Sequence, residues 1–259
     1  MCRVAHVLVL AITTGSGCAM FAKKPNTPAD DLKPAELLAT PAQPNERYFL
    51  IVFGSESKPK IPKYTHSWAT AVKVTDLGPG VAPAIEQQTI SWMPATLDIR
   101  PHNHRIERGV NLDLDTTIRE MLKHDEKIVM WGPYEIWHGA YRRFLTQKEF
   151  IDSGAIGYQC VDSFGEAART GCGCDCIHAI TDMDPQYGRG RYPLAFFGIG
   201  ASRHAVRQIM SRGAVIDPNK THDCLIPALG LDKYPIERES YRGPKTTFSP
   251  DAILNASRR

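Results

Sequence analysis

The run Tyr48-Phe49-Leu50-Ile51-Val52-Phe53 constrains this chain more than any other feature. Six consecutive apolar, aromatic or β-branched residues stopped by Gly54 read as a buried strand, so the folded part is built around a sheet. Ser55 to Lys63 carries Pro59 and Pro62 and is loop. Thr65 to Val74 then alternates, which places His66, Trp68, Thr70, Val72 and Val74 on one face of a second strand. Gly78, Pro79, Gly80 and Pro83 make a turn, Gln87 to Met93 reads as a third strand, and Pro94 closes it. The domain opens as an antiparallel meander.

Helical spacing follows. Asn111 or Asp113 caps a helix whose apolar positions are Leu114, Ile118, Met121 and Leu122. A short apolar run, Lys127 to Trp131, is broken by Gly132-Pro133. His138 to Ile151 is helical again, with Gly154 at its end. Ile156, Tyr158 and Cys160 alternate as in a strand. A glycine-containing loop, Gly165 to Gly173, leads to a helix starting near Asp175, and Ala201 to Arg212 is a further helix ended by Gly213. The expected class is α+β: an antiparallel sheet with helices packed on one side.

The start of the chain is a different kind of sequence. Arg3, the apolar stretch Val4 to Ile12 and the small residues before Cys18 have the order of an export signal. Gly17-Cys18 resembles a bacterial lipobox, in which case Cys18 is the lipidation site; the competing reading is cleavage after Ala19. Pro25, Pro28, Pro34, Pro41 and Pro44 then prevent helix or central strand and make an extended spacer. The expected organisation is a leader over 1–18, a proline-rich spacer over 19–45, one domain over 46–242 and a loosely attached tail over 243–259. With 259 residues, 42% hydrophobic and 23% charged, the chain can bury one sizeable core. Its formal net charge of +3 is unclustered, which excludes a nucleic-acid partner. The expected place is the bacterial periplasm or, through Cys18, a membrane surface.

Seven cysteines are present, five of them within the domain: Cys160, Cys172, Cys174, Cys176 and Cys224. In an exported protein Cys160, Cys172, Cys174 and Cys224 are candidates for disulfides, and an odd count leaves one sulfur over. The Cys-x-Cys-x-Cys-x-His order from Cys172 to His178 is too tightly spaced for a structural zinc site, so no metal and no cofactor is expected. Cys176 is the sharper candidate. It follows a flexible loop at a helix start, where the dipole favours thiolate, the nucleophilic form. His66, at the start of a strand, is the candidate base.

This arrangement resembles the circularly permuted NlpC-type papain-like proteins. The early Thr65-His66-Ser67-Trp68 strand and the late Cys176-Ile177-His178 are similar to the strand histidine and Cys-x-His of the lecithin retinol acyltransferase group. Asp175 stands where that group carries Asn. The resemblance implies a permuted papain-like fold and a thioester formed on Cys176, then hydrolysed or passed on. It also implies an amide or ester substrate such as a cell-wall peptide or a lipid acyl group. Ser91 and Thr96 are the two candidates for a third member beside His66. The alternative is a non-catalytic tethered binding or scaffold domain with bridged cysteines.

Other signals have plainer readings. Gly198-Ile199-Gly200 is a strand-to-helix turn, not a dinucleotide fingerprint. His102 and His104 belong to a solvated loop, and Asp113 and Asp115 cap a helix. Trp131, Tyr134 and Trp137 either line a groove or pack in the core.

Overall fold

The computed structural model describes residues 43–183 and 197–244. The leader, Cys18, the spacer as far as residue 42 and the tail from residue 245 lie outside the described residues.

The apolar run is the middle of β1 (Glu46–Glu56), in which eight consecutive residues are buried. β1 pairs antiparallel with β2 (Thr65–Thr75), setting Phe53 opposite Trp68 and Ser55 opposite His66. Its other edge pairs with β6 (Lys127–Ile136). With β3 (Ala84–Ile90), β9 (Ile236–Ser240) and β10 (Gly243–Pro244) the sheet order is β10-β9-β6-β1-β2-β3. Only the β6/β9 ladder within it is parallel. Gly243 and Pro244, expected to begin a loose tail, pair with Ser240 and Glu239.

β1 feeds two cores. Leu50 and Val52 pack on one face with Trp131, Phe144 and Ala205. Phe49, Ile51 and Phe53 pack on the other with Trp68, Ile118 and Leu225. A strand covered on both faces has no polar positions, which is why the run is continuous. The class is α+β, and the helices, expected on one side, cover both. The first face carries α2 (His138–Asp152), α4 (Cys176–Thr181) and α5 (Ile199–Ser211). The second carries α1 (Leu114–Leu122) and α6 (Leu225–Ala228). A short α3 (Gly165–Thr170) lies within the stretch expected to be loop. As expected, Asp113 caps α1, accepting from the Thr116 N–H at 2.8 Å.

Two further differences matter. β6 runs through Gly132-Pro133 instead of stopping there. Gly132 takes φ of 99°, and the register slips between Leu50 and Val52, so a bulge absorbs the residues that cannot join a regular ladder. The third strand splits at Ser91. β3 ends at Ile90, and β4 (Trp92–Pro94) pairs separately with β5 (Gly109–Asn111). Two-residue strands β7 (Gly157–Tyr158) and β8 (Gly173–Cys174) pair in parallel and lead into α4. No helix among the described residues is long and apolar enough to cross a membrane.

Candidate active site

β3 covers β2 only from Ala69 onward. The backbone ahead of it is open to α4, and the Cys176 sulfur accepts the Ser67 N–H there. Asp175 caps α4, its Oδ1 accepting the His178 N–H at 2.7 Å. The result is a cavity of about 540 Å³ lined by His66, Tyr158, Cys160, Asp175, Cys176 and His178, with Phe164 and Phe197 among its apolar walls. Nucleophile and base candidates, 110 residues apart in sequence, line one cavity.

His66 is buried and stacked on Trp68, ring centroids 5.5 Å apart. Its Nε2 lies 2.9 Å from Ser91 Oγ. Its Nδ1 has no hydrogen-bond partner, so no hydrogen bond joins it to Cys176 in this state. Burial pulls the imidazole pKa down to about 3, so His66 is neutral at any physiological pH. Ser91 reaches the ring because the break between β3 and β4 frees it from strand alternation. Its own N–H goes to Asn111 Oδ1 at 3.1 Å. Thr96 is elsewhere: exposed, its hydroxyl accepting the Asp98 N–H at 3.4 Å, on the wall of a second cavity.

The lowered thiol pKa expected from the helix start is reversed. Burial, then the Asp175 carboxylate and the neighbouring Cys160, push Cys176 well above the usual thiol value; the Ser67 N–H pulls the other way without prevailing. One turn of helix cannot outweigh a buried carboxylate beside the sulfur. Cys160 is likewise raised, to about 12, by burial and then by Asp175. Tyr158, buried at the same wall, hydrogen-bonds Cys160.

His178 has a supporting position. Its Nδ1 lies 2.8 Å from Asp162 Oδ2 and 3.2 Å from Asp175 Oδ1, all three residues buried. Burial alone would strip its proton, but the two carboxylates outweigh burial and hold the imidazolium well above its usual pKa. The three donor atoms lie within 4.8 Å of one another, the spacing of a metal's ligands. The oxygens are already engaged, since Asp162 Oδ2 takes the Asp175 N–H at 3.3 Å and Asp175 Oδ1 takes that of His178. The cluster therefore acts as an ion-paired brace under α4. Asp162, Ser67 and Tyr158 carry no sequence signal for this site. Asp162 stands alone in a loop, Ser67 contributes only backbone, and the alternation at Tyr158 marks a strand without saying what it faces.

Three of the four disulfide candidates are corrected. Cys160, Cys174 and Cys224 form no disulfide, and neither does Cys176. The parallel β7/β8 ladder buries Cys174, whose thiol donates to the Asp175 carbonyl at 3.3 Å. Cys224 is exposed, next to a His222 that packs edge-on against Phe49 of the second core. Of the aromatic trio, Trp131 and Tyr134 are core and Trp137 is half exposed. At Gly198 the start of α5 is already occupied by protein: the Ile199 N–H donates to Glu56 Oε2 at 3.2 Å. Searches against models of protein families, curated proteins and solved structures find nothing that matches this chain.

Proposed function

We propose that the protein is a cysteine-dependent hydrolase or acyltransferase of the cell envelope, related to the permuted NlpC-type papain-like proteins. Cys176 is its nucleophile, His66 its base, and Ser91 the group that orients the base. One observation carries the reading. Cys176 is a free thiol in the same cavity as a histidine whose Nε2 is fixed by a serine while its Nδ1 is left unbonded.

The pKa directions set the mechanism. Thiol and imidazole are both neutral at rest, so the proton moves as the substrate reacts. The Cys176 sulfur bonds to the substrate's carbonyl carbon while its proton passes to His66 Nδ1. His66 returns that proton to the leaving amine or alkoxide as the C–N or C–O bond breaks, leaving a thioester. Water, or an acceptor hydroxyl, then attacks the thioester. His66 takes the attacker's proton and gives it to the departing sulfur, restoring the thiol. Asp175, a carboxylate, donates nothing to an oxyanion and instead positions α4. The envelope setting rests on residues 1–18, with Cys18 as anchor.

Incubation with an activated acyl ester is expected to add one acyl group, located by mass spectrometry at Cys176. Cys176→Ser should abolish it and His66→Ala should slow it by about 10²–10⁴-fold, the usual weight of a general base. Because His66 titrates at about 3 and Cys176 far above neutral, the rate should be flat from about pH 5 to 8. For the same reason iodoacetamide should alkylate Cys176 slowly at pH 7 and faster as pH rises. The neutral resting pair also suits the second reading, a tethered binding domain without chemistry. An absent acyl adduct, in protein whose Cys176 is free and folded, would decide for it.

A further inference from the structure

A second cavity, of about 330 Å³, lies beyond the turn Pro62–Tyr64 on the α1 face of the sheet. That is the small end of the range of ligand sites. Three carboxylates line it. Two are matched: Asp98 by Lys63 at 2.6 Å, and Glu120 by Lys123 at 2.5 Å with His124 at 4.0 Å. Glu126 is not. It is only 4% exposed and has no cation beside it among the described residues; the Ser55 hydroxyl hydrogen-bonds the carboxyl, and its Oε2 is left without a hydrogen-bond partner. A buried acceptor left unpaired costs stability unless something supplies a donor. The rest of the wall combines the apolar side chains of Met93, Leu97, Ile99 and Met121 with Thr96 and the pair Tyr64–His124, whose rings lie 5.1 Å apart. Both non-glycine residues with positive φ among the described residues adjoin it, Leu97 at 58° and Asp125 at 54°.

We infer that this cavity binds a primary alkylammonium group, with the ammonium on Glu126 and its methylenes along Met93, Met121 and Ile99. A metal ion does not fit, because among the described residues no three donors here converge as those at His178 do. An ammonium on an alkyl stem matches both halves of the wall. Burial raises the Glu126 carboxyl to about 7, so the empty site keeps a proton that the ligand displaces. Lys63, Asp98, Glu120 and His124 are the other charged or titratable side chains on the cavity wall, with Tyr64 beside them. The ligand's source is either a free diamine or a lysine side chain.

Calorimetric titration of the full chain with 1,5-diaminopentane and with Nα-acetyl-lysine amide separates these sources, with 1-pentanol as the uncharged control. One or both amines should bind at least tenfold tighter than pentanol; binding of the blocked lysine identifies a side chain, and of the diamine alone a free amine. Glu126→Gln, which lies outside the proposed active site, should lower the affinity at least tenfold. At pH 6 the heat should vary with the buffer's ionisation enthalpy, because Glu126 releases its proton, and at pH 8 it should not. In the ¹³C carboxyl spectrum of the unaltered protein, one glutamate titrating near pH 7 should move to its ionised position on adding amine. Equal binding of pentanol, undiminished binding by Glu126→Gln, or no such carboxyl shift would each overturn the inference.

Discussion

His178 shows how a residue's environment sets its role. Held between Asp162 and Asp175, it contributes stability through its charged form. Its folded pKa lies above the unfolded value, so that contribution is complete below about pH 6.5 and is lost as pH rises through the folded pKa. His178→Gln leaves two buried carboxylates without their cation and should cost about 3–5 kcal/mol near pH 6. Urea denaturation at pH 6 and pH 9 checks this: the gap between the variant and the unaltered protein should shrink at the higher pH. A gap that widens with pH would mean that His178 is buried neutral. The sequence makes His66 and Cys176 visible, since a strand alternation and a helix cap can each be read locally. Their protonation states are not legible there. Burial and the Asp175 charge reverse what the helix start suggests for Cys176, and the extent of burial is a product of the whole fold.

Elements are legible where one face or one cap defines them. β1, β2, α1, α2 and α5 follow from runs, alternation and capping residues. Where backbone exceptions decide, as at Gly132 within β6 and Ser91 between β3 and β4, the sequence suggests a stop or a continuation that tertiary pairing overrides. Gly54 is such an exception with a consequence for the site. A Cβ there would fall 2.2 Å from Ser202 Oγ and 2.5 Å from Ser202 Cβ, so α5 packs directly on the β1 backbone. Ser202 in turn shares a 2.6 Å hydrogen bond with Ser67, whose N–H holds the Cys176 sulfur. Gly54→Ala should push α5 outward and destabilise the protein by about 1–3 kcal/mol, as overpacking does. Ser202→Gly added to it removes the opposing carbon and should recover most of the loss, as thermal unfolding of the single and double variants will test. No recovery would mean that the strand, not the helix contact, rejects the methyl group.

At the scale of the molecule, the alternation along β1 ties the two cores together. Leu50 and Val52 belong to one, and Phe49, Ile51 and Phe53 to the other, so neither helical layer can leave without exposing the strand that the other needs. The two layers should therefore unfold as one cooperative unit despite sharing no helix. Phe144→Leu on the first face and Ile118→Val on the second both trim fully buried side chains. Each should cost about 0.5–1.5 kcal/mol. Because the sites share no core, the double variant should show the sum of the two losses to within about 0.5 kcal/mol. Urea unfolding followed by tryptophan fluorescence, for Trp131 on one face and Trp68 on the other, and by far-ultraviolet dichroism should give one transition with an unchanged m value. Two transitions, each moved by only one of the substitutions, would mean that the sheet can shed one layer and keep the other. In that case the cavity beside α4 and the cavity beside α1 would belong to independent folding units.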